Sequence, residues 1–113
     1  MLFGKKSVVF KEDSRLAELE NARQDACISL KAAVKRTIIK QGVIALYIAG
    51  TPDKDIAQKE VEAAKRSLLC CIGAYDARQQ ELVDYAKKNN TNCMTATSHD
   101  IIEKAYEEFY KKA

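Results

Sequence analysis

Gly50-Thr51-Pro52-Asp53 is the clearest punctuation in this chain, and it constrains the fold more than any other feature. Gly50 suits the left-handed position that follows a helix C-terminus. Thr51 can cap the next helix, Pro52 fits a first turn where no N–H is needed, and Asp53 and Asp55 complement the helix dipole. On either side lie stretches of about 36 residues that read as helices of roughly 50 Å. Helix one is expected over 13–49 and helix two over 52–88. Two such helices joined by a tight turn must form an antiparallel hairpin.

Periodicity supports both elements. At 100° per residue, Leu16, Leu19, Ala26, Cys27, Leu30, Val34, Thr37, Ile38 and Gln41 fall within an arc of roughly 120°. Arg23 interrupts that stripe, and Gly42 weakens the helix by about 1 kcal/mol relative to Ala. Helix two carries a wider arc, from Ile56, Ala57 and Val61 through Leu68, Cys71 and Tyr75 to Leu82, Tyr85 and Ala86. Asn89-Asn90-Thr91-Asn92 ends it. A third helix is expected over 98–112, with Ile101, Ile102, Ala105, Tyr106 and Phe109 on one face and charge over most of the rest. Residues 1–12, with the β-favouring run Ser7-Val8-Val9-Phe10, are expected as an extended arm. The fold class is therefore all-α: a hairpin of two long helices, a short C-terminal helix and an N-terminal arm. At 113 residues it is a single domain, and four Gly and one Pro are too few for the turns of an all-β fold.

The apolar surface exceeds what a hairpin buries. The surplus on helix two can hold helix three, returning along the hairpin after the 89–97 loop. The run Val43-Ile44-Ala45-Leu46-Tyr47-Ile48-Ala49 is apolar all round a helix. In the antiparallel register it faces roughly 53–59, where only Ile56 and Ala57 are apolar. Helix three, at about 22 Å, cannot cover both the open end and the turn end. Either the arm or a bend in helix one packs residues 43–49, or Val43, Ile44, Leu46, Tyr47 and Ile48 form a surface for another chain, a copy of itself or a different protein. An elongated hairpin also encloses little core for its length, which favours an oligomer or a protein partner.

Motifs for chemistry are missing. There is one His and no Trp, and no G-x-S-x-G, Walker-A or G-x-G-x-x-G pattern occurs. His99 reads as a helix-start residue. Cys70 and Cys71 are adjacent and point about 100° apart on a helix, so they do not chelate one ion together. Cys71 and Cys27 read as small core residues, whereas Cys70 and Cys93 read as more accessible. Pairs such as Glu60/Glu62 and Glu107/Glu108 sit among lysines and read as solvated surface. No enzyme, cofactor, metal or small-molecule substrate is expected.

Nineteen basic against 16 acidic residues give a net charge of +3, too little to imply nucleic acid alone. The distribution is more informative, because no acid occurs between Asp25 and Asp53. Lys31, Lys35, Arg36 and Lys40, brought alongside Lys65 and Arg66, are expected as a mid-hairpin basic band. Such a band suits an acidic protein partner or, as the second reading, nucleic-acid phosphates. Leu2, Phe3, Lys5 and Lys6 are too few for stable membrane attachment. No long apolar run follows these lysines, so a cytoplasmic location with reduced thiols is expected. The leading expectation is a non-enzymatic assembly or adaptor protein working through apolar association.

Overall fold

The computed structural model describes the backbone of residues 2–47, 49–93 and 95–112, and side chains among these from 14 to 111. Three helices follow one another: α1 over Leu2–Ile44, α2 over Pro52–Lys88 and α3 over Ser98–Lys112. The described residues contain no strand. The molecule is a rod of 74 × 25 × 20 Å.

The boundaries of α2 are written in local chemistry. Thr51 is extended at φ −86°, ψ 151°, and its hydroxyl accepts the Lys54 backbone N–H at 3.3 Å, with Pro52 opening the first turn. Gly50 before it takes φ +84°, which a side chain would disfavour. At the other end Asn90 adopts φ 53°. The Thr91 N–H donates to the Ala86 carbonyl at 2.8 Å and the Asn90 N–H to Lys87 at 3.3 Å. That is a Schellman ending with Asn in the left-handed position. α3 opens on a capping box: Thr97 Oγ1 accepts the Asp100 N–H, and Asp100 Oδ2 accepts the Thr97 N–H, both at 3.1 Å. The hydrogen bonds, the Thr97 N–H foremost, hold the Asp100 carboxyl below the usual carboxylate range.

α1 differs from expectation at both ends. It is helical from Leu2, where an extended arm was expected over 1–12. No Pro interrupts that stretch, and lengthening a formed helix costs little even through Val8-Val9. The segment therefore continues α1 away from the turn and does not fold back on 43–47. α1 also stops at Ile44 and not at 49. The Leu46 N–H reaches back to Val43 at 3.0 Å and the Tyr47 N–H to Ile44 at 3.2 Å, a tightening to i→i−3 bonds that lets the chain reverse within 45–51.

Two cross-hairpin contacts fix the register. Buried Thr37 donates its hydroxyl to Ala33 in its own helix at 2.8 Å and lies 3.5 Å from the Ala64 carbonyl opposite. Lys40 Nζ meets Glu60 Oε2 at 3.0 Å. From Leu19 to Ile38 on α1, and from Ala57 to Ala86 on α2, the facing stripes are buried. Gln41, expected at the end of the α1 stripe, is exposed, and so is Ile56 from the expected α2 arc, together with the α2 alanines Ala63 and Ala74. The buried arc of α2 is thus narrower than its apolar arc.

α3 does not lie chiefly on α2 as expected. Its Ile101 and Ala105 join Cys27, Leu30, Val34 and Ile38 of α1, with Tyr75 the one fully buried α2 residue in that cluster. It runs parallel to α1, with Glu108 level with Lys31 and Lys35. One part-buried bond places the start of this helix: the Tyr75 hydroxyl, on a side chain with 0% exposure, donates to the Ala96 carbonyl at 2.7 Å. Arg23, the charged interruption of the α1 stripe, is half-buried, and its Nε finds no hydrogen-bond partner among the described residues.

Candidate protein-interaction surface

Because α3 runs parallel to α1 and ends near Gly42, it covers the middle of the hairpin and leaves the turn end bare. There Ile39 and Val43, one turn apart on α1, are exposed together with Leu46 and Tyr47 of the turn. Leu46 is 81% exposed, the most of any large apolar side chain described. Ile44 is half-buried, and Ile48 lies outside the described residues. Of the expected surface Val43, Ile44, Leu46, Tyr47 and Ile48, the exposed members are thus Val43, Leu46 and Tyr47. Val43 lies in the last turn of α1, and Leu46 and Tyr47 sit on the reversal that follows, not on a helix that is apolar all round.

The same end gains aromatic surface that the 43–49 run did not announce. The last turns of α3 bring Tyr106, Phe109 and Tyr110 beside Ile38, Ile39, Gln41 and Gly42, around an open hollow of about 440 Å³. The Tyr106 and Tyr110 rings stack at 6.3 Å with planes 15° apart. Phe109 meets Tyr110 edge-on at 5.3 Å. Tyr110 is 61% exposed. Gly42 lines the hollow, and a β-carbon built there would meet no atom within 4 Å. The i, i+4 spacing of Tyr106 and Tyr110 was readable as one helix edge. Its position over Gly42 was not, since it depends on how far along α1 the third helix is docked.

Half of the expected basic band meets carboxylates. Lys31 Nζ and Lys35 Nζ both reach Glu108 of α3, at 2.9 and 3.5 Å. The hydrogen bond and charge of Lys31, helped by Lys35, hold the Glu108 carboxyl below its ordinary range. Lys40 pairs with Glu60. Arg36 lies with Lys40, Glu60 and Ser67 around a shallow hollow, and Lys65 and Arg66 are exposed on α2.

The remaining chemistry-bearing residues are scattered. Among the described residues no three His, Cys, Asp or Glu side chains group to hold a metal ion. Cys27 is buried, Cys71 and Cys93 are half-buried and Cys70 is exposed. His99 pairs with Glu103 one turn on, at 2.8 Å and in solvent. A polar cleft between α2 and the start of α3 is lined by Asp76, Gln79, Thr95 and Asp100 among others. Within the described residues no helix is long and apolar enough to cross a membrane. Compared with known proteins, the chain matches no family model, no curated protein and no solved structure.

Proposed function

We propose that this chain is a non-enzymatic helical assembly protein that associates with copies of itself through its turn end. The observation that carries the reading is the patch of Ile39, Val43, Leu46, Tyr47, Tyr106 and Tyr110 left exposed at one end of the rod. Six large apolar or aromatic side chains gathered at one end form an unusual surface for a monomer, and such patches mark interaction sites. Tyrosines are also the residues that association surfaces favour. Pairing of Lys31, Lys35 and Lys40 with Glu108 and Glu60 leaves phosphate contact as the weaker alternative, because half of the six band residues already face carboxylates.

Light scattering on the purified chain, at low and high salt, tests the reading. Apolar association gives a mass at least twice that of the chain, unaffected by salt. A monomer at every concentration and salt refutes it. Salt-sensitive association with co-purified nucleic acid would transfer the role to Arg36, Lys65 and Arg66.

A further inference from the structure

The turn carries a projecting apolar side chain, and the last turns of α1 and α3 before it enclose an open, mostly apolar hollow. Leu46 projects from the turn, and the hollow under Tyr106, Phe109 and Tyr110 opens around Ile38 to Gly42. The geometry points to a symmetric dimer in which Leu46 of each copy inserts into the hollow of the other. This rests on the self-association reading and adds its occupant, register and stoichiometry.

Three observations support that occupant. The first is register. α1 ends at Ile44, so a two-fold axis at that end turns Leu46 of one copy towards Gln41 and Gly42 of the other, which line the hollow, and such a contact pairs each projection with a hollow. The second is fit. A hollow of about 440 Å³ has room for a leucine with the flank of Tyr47, and its walls are apolar or aromatic apart from Gln41. Gly42, with no atom within 4 Å of a built β-carbon, allows the approaching backbone close. The third is area. The fractional exposures of the six patch residues correspond to on the order of 600 Å² per copy, so covering both patches removes about 1,200 Å², the lower edge of specific, stable interfaces. A larger assembly would need a second patch of this size.

Two variants separate the projection from the hollow. Leu46→Ala removes the inserting group and leaves the hollow. Gly42→Phe places a ring at the open wall of the hollow and leaves Leu46. Each is compared with the unmodified chain by sedimentation equilibrium, after circular dichroism shows that helix content is retained. Each alone should weaken the dimer by about a hundredfold or more, because the insertion is lost at both symmetric contacts. Mixed in equal amounts, the two variants should pair with each other better than either pairs with itself, since one intact insertion remains. Dimers that form equally well with Leu46→Ala and Gly42→Phe overturn the insertion while leaving self-association standing. Variants that each weaken the dimer but gain nothing on mixing also overturn it. An unmodified chain that stays monomeric overturns both this inference and the reading beneath it.

Discussion

Tyr75→Phe isolates the bond that positions the third helix. The ring of Tyr75 is fully buried in the cluster that joins α1 and α3, and Phe keeps that packing almost unchanged. What it loses is the hydroxyl, which donates to Ala96 at 2.7 Å and lies 3.4 Å from Gln79 Oε1. A typical net hydrogen bond contributes about 1 kcal/mol, and a buried carbonyl left without a donor adds a cost of about 1–3 kcal/mol. Ala96 is only half-buried, so water restores part of that bond and the expected loss is about 1–1.5 kcal/mol. Tyr75→Ala, which empties the ring's volume as well, should cost about 3–5 kcal/mol. With a urea dependence of roughly 1–1.5 kcal/mol per molar for a chain of this size, the midpoint should fall by about 1 M for the Phe variant. The readout is urea unfolding by circular dichroism, joined to hydrogen exchange at Ala105 and its neighbours in α3. Exchange in α3 should accelerate more than exchange in the middle of α1 and α2. A Phe variant with unchanged midpoint and unchanged α3 protection would refute the anchoring role. A Phe variant as damaged as the Ala variant would refute the division between hydroxyl and ring.

Further outcomes follow from the caps and the ion pairs. Because Lys31 and Lys35 lower the Glu108 carboxyl, the contribution of this contact is complete above the ordinary glutamate range and is lost as pH falls through the lowered value. α3 amides should therefore lose exchange protection on acidification before the core of the hairpin does, and Glu108→Gln should remove that early phase. Thr97→Ala removes the hydroxyl that accepts the Asp100 N–H, leaves the Thr97 backbone N–H on Asp100 Oδ2, and should destabilise the docked α3 by about 1 kcal/mol, seen as faster exchange at the start of α3. Gly50→Ala places a side chain at φ +84° and should lower the stability of the chain by about 1–2 kcal/mol although space is free there. An unchanged thermal midpoint would mean that the turn relaxes around it.

Much of the fold was legible because its signals are local. The start of α2 at Pro52 and its end at Lys88 follow from Thr51, Pro52 and the Asn89-Asn90 pair, whose side chains and backbone preferences act within four residues. The capping box at Thr97 and Asp100 starts α3 for the same reason. The ends of α1 were harder. Val8-Val9 carry a β preference of a few tenths of a kcal/mol, which a continuing helix overrides. The stretch after Ile44 has good helix formers, yet the backbone tightens there to i→i−3 bonds at Leu46 and Tyr47, and no residue next to Ile44 marks that stop.

Local chemistry and 3.6-residue periodicity, both carried by the sequence alone, determined three helices, their hairpin order and a surplus of apolar surface near residues 43–47. Only the tertiary structure decided where the third helix lies. The charge of Glu108 between Lys31 and Lys35, and the Tyr75 hydroxyl on Ala96, set α3 along α1 and bring its last turns beside Gly42. Those pairs join residues 21 to 77 positions apart, and no periodicity within one helix reports on partners so distant. The same docking drew two of the six expected basic-band residues into ion pairs with α3 and placed Tyr106, Phe109 and Tyr110 at the turn end. The surface there is thus a product of two segments far apart in the chain, which is why half of it could be read in advance and half could not.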